Sequence, residues 1–214
     1  GNYRVEEVSP PTGYILSSNS ISFTISNTQQ ERIEVSFPNT QRQIVISKVD
    51  DEGNLIAGAR LAIYNSSGQK VQTFTSKTTP TVIKDLAVGN YTVREIEAPD
   101  GYQLNTTPQS FEITNTSQNI QISMRNSKNA ISFAKVDSDS GAYVSGAKLR
   151  LVDSNDDVIE EWTSDNSLYT IYGLEQGTYY FEEVSAPSGY IRNTGRIRVT
   201  VDEDTTTHTY TMEN

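Results

Sequence analysis

The sequence predicts an all-β chain of tandem antiparallel sandwiches, and three observations carry that prediction. A phrase returns at a fixed interval: GNYRVEEVSPPTGY from Gly1, GNYTVREIEAPDGY from Gly89 and GTYYFEEVSAPSGY from Gly177. Both intervals are 88 residues, and a strict long period marks tandem copies of one folding unit. Around these phrases apolar residues alternate with polar ones over short runs, the signature of half-buried strands. The runs are rich in Val, Ile, Thr and Tyr and are separated by Asn, Gly, Ser and Pro, which is strand and turn chemistry. No convincing helical period appears.

The period divides the 214 residues into a partial copy, 1–39, and two full copies, 40–127 and 128–214. In the first full copy strands are expected near 43–50, 59–65, 70–75, 81–86, 91–97, 109–114 and 119–126. In the second they are expected near 130–137, 147–153, 157–162, 168–173, 178–184, 196–201 and 207–213. Ala98-Pro99-Asp100-Gly101 and Ala186-Pro187-Ser188-Gly189 place Pro second and Gly fourth, the pattern of a type I turn. Gly58-Ala59 and Gly146-Ala147 open second strands, where small residues let backbones approach. Residues 1–39 begin inside the repeated phrase, so the chain reads as a piece of something longer. They carry the end of a unit whose first strands are missing, and such a partial sheet is marginal alone. Its open face is expected to be covered by another chain or an upstream fragment.

Three polar residues per copy break the alternation. Tyr91, Val93 and Glu95 share one face of a strand, as do Tyr179, Phe181 and Glu183, and Tyr3, Val5 and Glu7, because side chains two apart point the same way. Ile44, Ile46 and Lys48 line up likewise, and so do Ile131, Phe133 and Lys135. At the copy ends the sets are Ile33, Val35, Phe37 and Asn39, then Ile120, Ile122, Met124 and Asn126, then His208, Tyr210, Met212 and Asn214. A charged or amide group aimed into an apolar layer is costly unless paired. For any one position a satisfied core group is the ordinary explanation. Lys, Glu and Asn recurring in register is a different matter.

The run Tyr-x-hydrophobic-x-Glu-x-x-Ala-Pro-x-Gly-Tyr at 91–102 and 179–190 resembles the E-box of Cna-B (SpaA-type, prealbumin-like) domains. The Lys-Val-Asp strand followed by Gly-Ala, at Lys48/Ala59 and Lys135/Ala147, is similar to the same family's opening. The chain departs from the family pattern at Ile96 and Val184, where Thr is frequent, and at Pro10, which replaces Ala. The resemblance implies Ig-like, prealbumin-like sandwiches serving as stalk or shaft modules of Gram-positive pilins and wall-anchored adhesins, outside the cell. It also implies a covalent Lys–Asn isopeptide bond assisted by the E-box Glu. Carried over by position, the sets are Lys48–Asn126 with Glu95 and Lys135–Asn214 with Glu183, while Glu7 and Asn39 lack a lysine.

That chemistry has physical requirements. An exposed amine is protonated near neutral pH, and an amide carbonyl is a poor electrophile. Burial disfavours charge, so it lowers a lysine pKa toward a neutral nucleophile and raises that of Glu95 toward a neutral acid. A protonated Glu95 then polarises the Asn126 carbonyl and shuttles protons while ammonia leaves. Holding the groups in contact is worth about 7–11 kcal/mol of barrier. The reaction occurs once per molecule and is not enzymatic turnover.

Other features exclude functions. Net charge is −10, from 17 Lys+Arg against 27 Asp+Glu, which argues against nucleic-acid binding. No run approaches the apolar length of a membrane span. Cysteine is absent, removing disulfides and thiol chemistry. With a single histidine, His208, a metal role is disfavoured and no cofactor is expected. Asp137-x-Asp139-x-Gly141 lacks the ligand spacing of a calcium loop and reads as a turn. Trp162, on an expected edge strand, reads as packing. The expected partners are adjacent repeats of the same polypeptide, with neighbouring pilin subunits or host matrix reached through other domains. Two other function classes stand beside the stalk reading: a ligand-binding adhesive module, for a host protein or glycan, and a carbohydrate-processing accessory domain.

Overall fold

The computed structural model describes residues 1–28 and 32–214. The chain is all-β. Residues 1–41 contribute β1 (Asn2–Glu6), β2 (Tyr14–Ile15), β3 (Ser20–Thr24) and β4 (Thr40–Gln41). The next seven strands are β5 (Ile44–Val49), β6 (Arg60–Asn65), β7 (Lys70–Thr75), β8 (Thr81–Ile83), β9 (Gly89–Glu97), β10 (Gln109–Ile113) and β11 (Ile120–Arg125). The last seven are β12 (Ala130–Val136), β13 (Lys148–Asp153), β14 (Val158–Thr163), β15 (Tyr169–Tyr172), β16 (Gly177–Ser185), β17 (Arg196–Val201) and β18 (Thr207–Glu213). Every strand expected in the two full copies is present, though β8 is shorter than the alternation implied.

Each set of seven folds into two layers. In the first, a four-stranded sheet ordered β10-β9-β6-β7 faces a three-stranded sheet ordered β11-β5-β8. In the second the sheets are β14-β13-β16-β17 and β15-β12-β18. Alternate inward residues fill the space between: Ile44, Ile46, Leu61, Ile63, Val93 and Met124 in one core, and Phe133, Leu149, Leu151, Phe181, Val199 and Met212 in the other. Trp162 lies on the edge strand β14 and stacks on Tyr169 and Phe181, so it is core packing.

Pairing is antiparallel except in one place per sandwich. The first and last strands lie side by side and run parallel, β5 with β11 and β12 with β18. Alternation alone does not reveal this, because pairing partners are distant in sequence. It also accounts for a difference in residues 1–39. Ile33–Asn39 was expected as a last strand, yet residues 32–39 are not in a strand. A last strand takes its hydrogen bonds from a parallel first strand, and residues 1–39 contain none. What forms instead are two two-stranded sheets, β2 with β4 and β1 with β3, and in the latter Tyr3 stacks on Phe23 and remains 52% exposed.

The Pro-x-Gly-Tyr turns also lie one residue later than the type I reading put them. Tyr102 N–H donates to the Pro99 carbonyl at 3.0 Å, and Tyr14 and Tyr190 repeat this with Pro11 and Pro187. Glycine therefore stands third, with φ of 79° at Gly101, which is the requirement of a type II turn.

By contact density the chain forms two compact units. One comprises 1–49, 53–96 and 106–125; the other comprises 50–52, 97–105 and 126–214.

Candidate functional site

In the second unit, three strands converge on one polar cluster at the end of the sandwich. β12 carries Lys135 with its side chain inward behind Ile131 and Phe133, and only 2% of the residue is exposed. The parallel register sets Lys135 opposite Met212 on β18, and the lysine Nζ donates to the Met212 carbonyl at 3.2 Å. Asn214 follows two residues later, on the same face by strand alternation. β16 brings Glu183 inward behind Tyr179 and Phe181, 1% exposed.

The Glu183 carboxylate is held at both oxygens. Oε1 accepts from Asn214 Nδ2 at 3.1 Å, and Oε2 accepts from the Asn193 backbone N–H at 2.6 Å. The other end of the Asn214 carboxamide, Oδ1, is buried and accepts no hydrogen bond among the described residues. Burial holds the Lys135 amine below its ordinary pKa of 10.5, against the opposing pull of Glu183 and Glu213. A buried amine biased toward neutrality thus lies within electrostatic reach of a carboxylate that holds a carboxamide.

The first sandwich places Lys48 and Glu95 similarly. Both side chains are fully buried, with Nζ and Oε1 3.5 Å apart. Burial again lowers the lysine pKa, while the charge and hydrogen bond of Glu95 raise it. Lys48 stands opposite Met124 in the parallel register. Asn126 is buried, and its Nδ2 donates to the Gln103 carbonyl at 2.9 Å. In residues 1–39 the half-buried Glu7 accepts from Asn39 Nδ2 at 2.6 Å and from Ser17 N–H at 2.7 Å. The same carboxylate arrangement therefore occurs in two copies: one oxygen on the copy's Asn, the other on a backbone N–H ten residues downstream.

The remaining sequence candidates resolve simply. Asp137 accepts hydrogen bonds from Asp139 N–H and from Ser140, a closed turn in which its Oδ1 is engaged locally. The His208 ring packs against Tyr210, with centroids 4.5 Å apart.

Among the buried polar residues that sequence reasoning missed are Arg42 and Asn129. Arg42 is 2% exposed and donates to the carbonyls of Tyr14, Thr114 and Ser117 at 2.8–3.1 Å. Its backbone N–H donates to the Gly13 carbonyl, and burial lowers the guanidinium pKa. Asn129 bonds Leu174 twice through its side chain. Extending the alternation two residues back would have found both, because Arg42 continues the face of Ile44 and Ile46, and Asn129 that of Ile131 and Phe133.

With the geometry described, the comparisons with known proteins follow. The profile of the SpaA family, a prealbumin-like fold domain, matches residues 42–128 and again 129–214. No curated protein sequence matches the chain. Among solved structures, the Bacillus anthracis TIE protein superposes with a TM-score of 0.60 at 24% identity, over all of this chain and 42% of that one. The chain thus spans well under half of that protein's length. A streptococcal ancillary pilin aligns over 99% of this chain and 75% of its own, with 21% identity and a TM-score of 0.42. The C-terminal fragment of the pilus adhesin SpaC from Lactobacillus rhamnosus GG aligns over 77% and 83%, with 21% identity and a TM-score of 0.48.

Proposed function

The chain belongs to the SpaA prealbumin-like domain family, and on that premise we propose that it is a stalk segment of a Gram-positive surface protein, pilin or wall-anchored adhesin. Its place is outside the cell, and its repeats, 40–127 and 128–214 with the partial copy 1–39, are stiffened by self-formed Lys–Asn isopeptide bonds. The observation that carries the reading is the set of buried Lys135 and Glu183 with the half-buried Asn214, the amine biased toward neutrality and the carboxylate already on the carboxamide.

The reaction balances within the chain. The neutral Lys135 Nζ attacks Cγ of Asn214. A new C–N amide bond forms, the Cγ–Nδ2 bond breaks, and a proton lost by the amine travels through the Glu183 carboxyl to the departing nitrogen, which leaves as ammonia. A half-turn of the Asn214 carboxamide brings the unpartnered Oδ1 to Glu183, where the proton in transit from the amine is shared with the developing oxyanion. Lys48, Glu95 and Asn126 take the same roles in the preceding repeat. Glu7 and Asn39 hold two of the three groups, without an amine supplied by their own copy.

Intact-mass measurement tests the proposal. Two bonds expel two molecules of ammonia, and peptide mapping should return residue 48 joined to 126 and residue 135 joined to 214. A mass equal to that of the sequence would end the cross-link reading.

A further inference from the structure

Within residues 128–214, backbone pairing places two groups of the polar cluster but not the third. Lys135 lies on β12, and Asn214 directly follows β18, its partner strand in the same sheet. The chain at Asn214 is tied to this edge again, by Asn214 N–H on the Val136 carbonyl at 3.0 Å and by Ser138 N–H on the Asn214 carbonyl at 2.9 Å. Glu183 lies on β16, in the other sheet of the sandwich. The ladder that sets lysine against asparagine therefore does not set the distance of the glutamate.

Asn193 spans that gap. It lies half-buried in the loop 186–195 between β16 and β17. Its backbone N–H donates to Glu183 Oε2 at 2.6 Å, a short bond of the kind a carboxylate makes. Its side-chain Nδ2 donates to the carbonyl of Glu213, the residue before Asn214, at 2.8 Å. Its Oδ1 accepts from Gly195 N–H at 2.8 Å, a local turn that fixes the side chain while the backbone donor meets the carboxylate. A Cβ on Gly195 would stand 3.0 Å from that oxygen. Arg192 adds another tie to β16, its Nε donating to the Glu183 carbonyl at 2.9 Å.

The arrangement gives the two oxygens of Glu183 different partners. Oε2 is taken by the loop, and Oε1 is turned to Asn214 Nδ2. In residues 1–39 the corresponding loop keeps part of this device on a shorter side chain. Ser17 N–H donates to Glu7 Oε2 at 2.7 Å, and Ser17 Oγ accepts from Asn19 N–H at 3.3 Å, so the turn and the backbone donor are both present there.

We propose that Asn193 is a positioning residue for the bond between Lys135 and Asn214. It clasps the Glu183 carboxylate and the end of β18 at once, and so holds Oε1 against the Asn214 carboxamide while the Cγ–Nδ2 bond is exchanged for Cγ–Nζ and ammonia leaves. It acts through Glu183 and through the backbone that carries Asn214, not on the reacting atoms. This rests on the cross-link reading above.

The experiment follows the 135–214 link by peptide mapping in the full chain, sampled from synthesis onward, with circular dichroism to show that each variant is folded. Asn193→Ser keeps the turn and the backbone donor, as Ser17 does, and loses the tie to Glu213. Its link should form roughly tenfold or more slowly, since a misplacement of about 1 Å costs up to about a hundredfold in rate. Asn193→Ala also loses the turn and should be slower still, so that Asn193→Ser recovers part of what Asn193→Ala loses. Tyr190→Phe is the control for the loop as a whole. It removes the hydrogen bond from Tyr190 Oη to Asp137 Oδ2 at 3.2 Å, another anchor of the same loop, and should link at the wild-type rate. A wild-type rate in Asn193→Ser would overturn the proposal. Equal slowing in Tyr190→Phe would also overturn it, because any loosening of the loop would then suffice. Should Asn193→Ala fail to fold, Asn193→Ser alone decides. Failure of the wild type to form the link would remove the cross-link reading and the positioning role together, whereas a linked wild type with an unslowed Asn193→Ser removes the positioning role alone.

Discussion

Replacing Lys135 by Met gives a test in which the sign of the effect separates a covalent cross-link from a hydrogen-bonded cluster. Met is apolar and of similar length, so the packing around Ile131, Phe133 and Met212 is largely preserved. Without a bond, the variant removes a desolvated amine whose charged form burial already disfavours, and buried ionic groups replaced by apolar ones are often neutral or stabilising. With a bond, it deletes a closure spanning 79 residues, from Lys135 to Asn214. By analogy with disulfide loop entropy that closure is worth about 4–5 kcal/mol. For a repeat of this size such a loss lowers the melting temperature by roughly 16–40 °C. Calorimetry of the full chain should show one transition falling by that order while the transition of repeat 40–127 stays in place. Mapping should show the 135–214 peptide lost and the 48–126 peptide retained. A melting temperature unchanged or raised in Lys135→Met would refute the covalent argument.

Two further outcomes follow from the same geometry. Glu95→Ala should fold yet lack the 48–126 link, with new protease cleavage confined to residues 40–127 and a stability loss of about 4–5 kcal/mol by the same loop argument; a full complement of ammonia loss in that variant would remove the role given to Glu95. Asn214→Ala keeps Lys135 but cannot form the link, and burial holds the Lys135 pKa below its unfolded value of 10.5. Between those two values the unfolded chain binds the extra proton, so stability rises with pH toward 10.5. Denaturant midpoints across alkaline pH should show that slope in Asn214→Ala and lose it in the Lys135→Met/Asn214→Ala double variant.

Much of the fold was legible because its information is local. Alternation located all seven strands of each sandwich, and the 88-residue period aligned the copies. The inward polar residues could be read because Lys48, Glu95, Lys135 and Glu183 each continue an apolar face, and all four are buried. What escaped depends on contacts between distant residues. The parallel pairing of β12 with β18 joins strands more than 70 residues apart. The strand expected at Ile33–Asn39 fails for want of such a partner, although its apolar pattern is sound. Arg42 and Asn129 escaped for another reason: each precedes the first apolar residue of its strand, so its parity was never tested. Their partners, Thr114, Ser117 and Leu174, are turn carbonyls that no composition rule marks.

The parallel pairing bears directly on the stalk role proposed above. In repeat 128–214 the chain enters along β12 and leaves along β18, and because the two strands run the same way, entry and exit lie at opposite ends of one strand pair. Tension then loads every rung from Ala130–Thr207 to Val136–Glu213 in shear at once, rather than opening them one by one. Hydrogen bonds alone still yield, and once they do the residues between are paid out. Lys135 and Asn214 lie at the exit end of this pair, so an amide between them receives the load after it has run the length of β12. The 78 residues from 136 to 213 are then bypassed, which withholds about 260–280 Å of extension at 3.3–3.6 Å per residue. Pulled from its two ends in a single-molecule experiment, the wild-type chain should show no release of that length at forces below covalent rupture, and Lys135→Met should show it as one step. Release of the full length by the wild type, under forces that leave covalent bonds intact, would mean that the load does not cross at Lys135 and that the shear of β12 against β18 is the whole of the mechanical resistance.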